Sequence, residues 1–229
     1  MSQSYQNKVL GECRYAYLGS MDYEKAWALQ RRLVQEVAEH ARPNTLLLLE
    51  HPAVFTLGRR SKPEDILVPR ETLVALGAHV VEVDRGGEIT FHGPGQLVGY
   101  PIVNLRDWGG PLRYVRALEA TLINSLAEFG VSAHRIEGLT GVWVGDEKIA
   151  AIGVRISGGV TSHGFALNVN TDLRWFQYIV PCGIRGKGVT SMKRALGRRI
   201  DLQQVAEVVA ACLGRELGMT MAAGHPEGA

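Results

Sequence analysis

The sequence predicts an α/β (α+β) fold: a mixed, mainly antiparallel sheet flanked by helices. Two long segments repeat apolar residues every three or four positions, short apolar runs with strand character lie between them, and the order of the two kinds is irregular. With 229 residues and 46% hydrophobic content, one domain with one core is expected. It should span residues 1–218, because the stretch "MAAGHPEGA" marks 219–229 as a loose, flexible C-terminal tail.

Taken in order, Arg14 to Leu18 reads as the first strand. From Asp22 to His40, the spacing of Ala26, Leu29, Leu33 and Val37 predicts a helix with one apolar face. Leu46 to Leu49, Val80 to Val83 and Leu97 to Val103 are strand-like. A second helix is expected over Pro111 to Phe129, where Leu112, Val115, Leu118, Leu122 and Leu126 recur. "VWVGDEKIAAI" predicts a hairpin, Val142 to Val144 and Ile149 to Ile156, with Gly145, Asp146 and Glu147 in its turn. Gly164 to Val169 is a further strand. The last helix starts at Asp201, an N-cap with Gln204 at the third position in the manner of a capping box, and runs toward Leu217.

Net charge is +2 and the isoelectric point is about 8.5, too weak a bias to argue for nucleic acid or an anionic membrane. The N-terminal "MSQSYQNKVL" has no apolar signal core, and "TLLLLE" is far too short to cross a bilayer, so a cytoplasmic protein is expected. The cysteines Cys13, Cys182 and Cys212 have no CxxC spacing, which suggests neither a disulfide framework nor a zinc site. The histidines show no HxH or HxxxH pair, and no metal is expected.

The stretch "RGGEITFHGPGQLVGY", Arg85 to Tyr100, carries five glycines between strand-like runs. It matches neither a dinucleotide fingerprint nor a phosphate loop, and a strand, not a helix N-terminus, follows Gly95. Such glycines serve either a bend between strands or close approach of backbone to a ligand. His92 by itself reads as a hydrogen-bonded structural histidine or a catalyst. In "IVPCGIRGKGVTSM", Cys182 follows a proline and precedes a glycine, placing the thiol in an irregular loop. It is the candidate nucleophile, against the alternative of a structural cysteine. Cys212, in "VAEVVAACLG", belongs in a core. Lys148 opens the apolar strand "KIAAIGVRI"; it is either a solvated strand end or a partner of Cys182.

Together these stretches resemble the lipoyl (octanoyl) transferases, the lipoate-protein ligase B family. The signature R-G-G-x-x-T-x-H-x-x-G-Q-x-x-x-Y is met by Arg85, Gly86, Gly87, Thr90, His92, Gly95, Gln96 and Tyr100. The resemblance extends through "LLLLEHPAVFTLGRR", "GVWVGDEKIAAIGVRI" and "HGFALNV" to "IVPCGIRGKGVTS". It implies an architecture like the biotin and lipoate ligase catalytic domain. It implies transfer of an octanoyl group from acyl carrier protein to a lysine of lipoyl domains, in 2-oxoacid dehydrogenase complexes and the glycine cleavage H protein, without ATP or any cofactor. Within that resemblance Cys182 carries the acyl thioester and Lys148 assists. The acyl site is lined by Arg85, Gly86, Gly87, Glu88, Ile89, Thr90, Phe91 and His92, by Ala151, Ile152 and Gly153, and by Gly164, Phe165 and Ala166. A monomer is expected.

The chemistry suits these residue types. Exchange of a thiol with a thioester is nearly isoenergetic and aminolysis is downhill, so no nucleotide is required. Lowering a thiol pKa from about 8.5 by about 1.5 units raises the thiolate roughly fifteen-fold, but the accompanying loss of nucleophilicity leaves only about three-fold. General acid and base work is worth about 10² to 10⁴, which makes proton transfer the main expected contribution of Lys148. The basic segment "GIRGKGVTSMKRALGRR" contributes Arg185, Lys187, Lys193, Arg194, Arg198 and Arg199, either a solvated face or a surface that steers an acidic carrier protein. Aromatic residues are not interleaved there, as a nucleic-acid surface would require. Two rivals stand beside the transferase: an ATP-dependent biotin or lipoate ligase, and a non-catalytic binding module on the same scaffold.

Overall fold

A computed structural model describes residues 10–106, 108–180 and 186–226. Its strands are β1 (Gly11–Ser20), β2 (Asn44–Glu50), β3 (Val54–Leu57), β4 (His79–Glu82), β5 (Ile89–His92), β6 (Gln96–Ile102), β7 (His134–Ile136), β8 (Leu139–Val144), β9 (Glu147–Ser157), β10 (Val160–Asn168), β11 (Gly188–Val189) and β12 (Met219–Ala223). Its helices are α1 (Tyr23–Ala38), α2 (Arg70–Ala75), α3 (Gly110–Glu128), α4 (Met192–Leu196) and α5 (Leu202–Leu217). The large sheet runs β12-β1-β2-β6-β10-β9-β8-β7, with β11 paired to β9. The pairs from β2 through β7 are antiparallel, while β1 pairs parallel to both β2 and β12. The sheet is thus mixed and mainly antiparallel, as the irregular order of elements implies.

Helices cover both faces, which explains why "LLLL" in β2 does not alternate with polar residues. Leu47 and Leu49 pack with Ala26, Leu33 and Val37 of α1, whereas Leu46 and Leu48 join the cluster built by α3 and α5. All four leucines are fully buried, each worth roughly 1.5–3 kcal/mol of hydrophobic stabilisation. Asp22 caps α1 by accepting from the Glu24 and Lys25 N–H groups at 3.0 and 3.2 Å. Asp201 caps α5 through the Gln203 N–H at 2.9 Å. The β8–β9 hairpin turns on Gly145, at φ 55°, and Asp146; Glu147 already belongs to β9.

Two features depart from the sequence reading. Residues 219–223, expected in a loose tail, form β12 and pair with β1 from Gly11↔Met219 to Tyr15↔Ala223. Gly218, left-handed at φ 66°, ends α5 and turns the chain back onto the sheet edge. The sequence "MTMAA" has little strand character of its own, so the open edge of β1 decides its conformation. A second sheet, β4-β3-β5, also forms, and its β3 and β5 are only four residues long. It packs Phe55, Ile89 and Phe91 against Phe176 and Trp175 of the 3-10 segment Leu173–Tyr178, and Phe91 stacks on Trp175 at 5.2 Å. Among the described residues no helix is long and apolar enough to cross a membrane.

Candidate active site

A cavity of about 590 Å³ lies between the two sheets, within the range typical of small-molecule sites. Its floor is the middle of β9 and β10, Ala151 to Val154 and His163 to Ala166, with Val98 and Tyr100 of β6. Its roof is the Arg85–Glu88 segment with Thr90 and His92 of β5. Gly138 to Thr140 close one side, where β8 runs beyond the last β9 pair, Val142↔Ala150.

The glycines allow backbone to lie on backbone. Gly86 donates its N–H to the Val154 carbonyl at 3.1 Å, and a Cβ on Gly153 would stand 2.9 Å from the Gly86 oxygen. A Cβ on Gly164 would stand 2.2 Å from the Gly99 oxygen. Gly86 and Gly153 thus let the roof lie directly on β9, while Gly99 and Gly164 let β6 and β10 pack closely within the sheet.

Side-chain hydrogen bonds then fix the roof. The buried Arg85 guanidinium donates to the Thr56 carbonyl at 2.7 Å, to Thr56 Oγ1 at 2.8 Å and to the Gly86 carbonyl at 3.0 Å. Gln96 Nε2 donates to the Phe91 carbonyl at 3.1 Å and to Asn168 Oδ1 at 2.9 Å, which leaves Gln96 Oε1 to accept from His92 Nδ1 at 2.8 Å. Burial, then the neighbouring His51 and Arg85, hold the His92 imidazole well below its ordinary range, so it is neutral. His51, its ring centre 5.8 Å from that of His92, is also neutral: burial pushes it down to about 4, with Nδ1 2.7 Å from the Met21 carbonyl and Nε2 2.8 Å from the Tyr100 hydroxyl. His163 adopts φ 55°, rare for a non-glycine residue. Its Nε2 lies 2.7 Å from Asp84 Oδ1, a contact that favours the imidazolium, yet burial together with Arg85 and Arg155 outweighs it and pushes the group down to about 3.

The structure brings most of the sequence-derived site to this cavity. Lys148, Arg85 to Glu88, Thr90, His92, Ala151 to Gly153 and Gly164 to Ala166 all line it. Ile89 and Phe91 do not: alternate residues of β5 face opposite ways, and these two enter the core of the small sheet. Lys148 is buried, with 6% of its surface exposed, and its Nζ sits 4.8 Å from the centre of the Trp143 ring. Gly141 makes room for it, since a Cβ there would meet Lys148 Cε at 3.3 Å. Cys182 and Arg185 lie outside the described residues. On the described side of that segment, Gly188 and Val189 pair with Glu147 and Lys148. The other two thiols are remote from chemistry: Cys212 is buried in α5, and burial followed by Glu12 pushes Cys13 up to about 12.

Sequence reasoning missed Thr56, His51, Tyr23 and His163. The first two sit in "EHPAVFT", but their partners, Arg85 and Tyr100, come from distant parts of the chain, and spacing alone carries no trace of such pairings. Within the basic segment, Lys187 pairs with Asp146 and Arg194 with Glu147 at 3.5 Å, while Lys193, Arg198 and Arg199 are exposed.

The arrangement of sheets and helices is that of the lipoate- and biotin-protein ligase catalytic domains. The fold is similar to a lipoate-protein ligase A solved with bound ATP, with a TM-score of 0.78 at 15% identity, covering 93% of this chain and 88% of that one. It is also similar to the biotin protein ligase of Aquifex aeolicus solved with biotin and ATP, with a TM-score of 0.57 at 15% identity, covering 89% and 70%. Residues 22–214 match the lipoyl protein ligase A/B catalytic domain, and the chain belongs to that family. Among its relatives, the octanoyltransferase of Solibacter usitatus is 53% identical over 196 residues, 85% of this chain and 88% of the relative. The octanoyltransferase of Chloroflexus aggregans is 50% identical over 201 residues, 86% and 91%.

Proposed function

We propose that this protein is an octanoyltransferase that works through a covalent acyl-enzyme. The observation that carries the reading is Lys148: a buried amine facing the cavity, with the Trp143 ring beside it and no hydrogen bond or ion pair among the described residues. No described side chain competes for this amine, which leaves it free to meet a reacting group in the cavity. Relatives about half identical over most of the chain carry the name octanoyltransferase, which supports the same activity here.

In the first step the Cys182 thiolate attacks the thioester carbonyl of octanoyl-acyl carrier protein, Lys148 having taken the thiol proton. The carbon–sulfur bond to the pantetheine thiol breaks, and Lys148 returns the proton to that leaving thiolate. In the second step the amine of a lipoyl-domain lysine attacks the Cys182 thioester. An amide forms, Lys148 accepts the amine proton, and the Cys182 thiolate leaves to be reprotonated. No ATP is consumed. The Arg85–Glu88 segment with Thr90 and His92, together with Ala151–Gly153 and Gly164–Ala166, borders the acyl chain, which gains about 0.8 kcal/mol per buried CH₂. The exposed Lys193, Arg198 and Arg199 steer the acidic carrier, and both partners meet the enzyme in the cytoplasm.

The test is the intact mass after incubation with octanoyl-acyl carrier protein in the absence of ATP. One octanoyl adduct on the wild type, absent in Cys182→Ser and discharged by a lipoyl domain, is expected. Acyl transfer that requires ATP would favour the adenylating ligase instead. Lys148→Arg should lower turnover by about 10² to 10⁴, the range of general acid–base catalysis, and undiminished turnover would remove Lys148 from the mechanism.

A further inference from the structure

A second cavity, of about 490 Å³, adjoins the first, and Arg59 lines both. Its wall holds three cations, Arg59, Lys62 and Arg70, against one carboxylate, Glu82. Arg70 engages Glu82 at 3.5 Å, whereas Arg59 and Lys62 make no ion pair among the described residues. Neighbouring Arg60 is neutralised by Glu88 at 3.0 Å.

The backbone of this segment offers no spare donors. The N–H groups of Arg59 and Arg60 donate to the Arg85 and Gly87 carbonyls, both at 3.1 Å. Ser61 donates to the Gly58 carbonyl at 3.0 Å and Lys62 to Asp65 Oδ2 at 2.8 Å. Positive charge in the second cavity therefore comes from side chains. Ser61, in the same wall, has a buried hydroxyl with no hydrogen-bond partner among the described residues. Arg59 and Lys62, two cations in one wall without an ion pair among the described residues, form a site for an oxyanion with several acceptor oxygens. Leu57, Pro63, Ile66, Val68 and Val83 supply the remaining surface, and among the described residues no aromatic ring lines it to stack a nucleobase.

We infer that the second cavity binds the phosphodiester end of the donor's pantetheine arm, while the first takes the acyl thioester. The inference rests on the reading that the donor is a pantetheine thioester. The acyl group carries no charge, and neither does the pantetheine chain, so the phosphate is the one anion the arm can present to this wall. Arg59, shared by the two cavities, places the phosphate subsite next to the acyl site. A lipoyl-domain lysine has no phosphate and would leave this cavity unused, so the two substrates are distinguished by it.

The experiment compares octanoyl-4′-phosphopantetheine with octanoyl-pantetheine as small donors, using the full chain and a lipoyl-domain acceptor. For the wild type, kcat/KM should favour the phosphorylated donor by about tenfold at low salt, and less at high salt. Lys62→Glu and Arg70→Ala should each shrink that ratio, mainly through KM, and Lys62→Arg should restore it. Equal use of both donors by the wild type, or a ratio unchanged in Lys62→Glu, would overturn the phosphate subsite while leaving octanoyl transfer intact. Failure to use either donor would instead count against the transferase reading. Competition by AMP as strong as that by phosphopantetheine, lost in Lys62→Glu, would reassign the cavity to a nucleotide and overturn the assignment to the arm.

Discussion

Gly153→Ala tests whether the cavity roof depends on backbone lying on backbone. The added methyl would stand 2.9 Å from the Gly86 carbonyl oxygen and 3.2 Å from Arg85 Cδ. A real Cβ does not approach a backbone oxygen below 3.0 Å, so the Arg85–Gly87 segment must lift by a few tenths of an ångström. Arg85 cannot follow freely, because its guanidinium is held by Thr56 at 2.7 and 2.8 Å. Overpacking of this kind costs about 1–3 kcal/mol, and weakening the Gly86 to Val154 hydrogen bond adds about 0.5–1.5. A total near 3 kcal/mol should lower the thermal midpoint by about 6–12 °C in a chain of this size. Acyl transfer at a temperature where the variant is fully folded should also fall, because the roof lines the cavity. Gly86→Ala, whose Cβ would meet the Val154 oxygen at 3.2 Å, should cost less. Calorimetry and turnover on the two variants decide the matter. A Gly153→Ala protein with wild-type midpoint and turnover would refute the claim that glycine is required here by the approach of the roof.

Further perturbations address other parts of the structure. His51 takes up a proton near 6.5 in the unfolded chain but only near 4 in the fold, so between those values the unfolded state binds more protons and stability falls as pH drops through the window. The loss approaches about 3 kcal/mol once pH passes the folded value, and His92, lowered in the same direction, adds to it; a thermal midpoint unchanged between pH 7 and 5 would contradict this. Phe91→Ala removes the ring that stacks on Trp175 and should cost about 3–5 kcal/mol; a denaturant midpoint near wild type would show that the small sheet does not need it. Ending the chain after Gly218 deletes β12 and uncovers the edge of β1, so the thermal midpoint should fall by several degrees, and no change would restore the view of these residues as a dispensable tail.

Local pattern carried the large elements of this fold. The three-to-four spacing from Ala26 to Val37 and from Leu118 to Leu126 can bury one face only as a helix, and it does so in α1 and α3, whereas Leu112, in the first turn of α3 and expected on the same face, is exposed. Runs such as Leu46 to Leu49 could only be strands buried on both sides or core helix, and the short length settles that in favour of β2. Six of the eight signature residues, Arg85, Gly86, Gly87, Thr90, His92 and Tyr100, line the cavity, so local pattern also marked most of its wall. Tertiary structure decided what pattern could not. The strands β3 and β5 are too short for periodicity to register, and their pairing through Thr56↔Thr90 comes from a core assembled with the distant Phe176. The split within β5, Thr90 and His92 to the cavity and Ile89 and Phe91 to the core, depends on which face of that strand meets the large sheet. β12 exists because β1 has an open edge, and the partners of Arg85 and His51 because four separate segments converge. Sequence fixes what a residue prefers over a few neighbours, whereas contacts between segments far apart in the chain arise only when the whole sheet closes around its core.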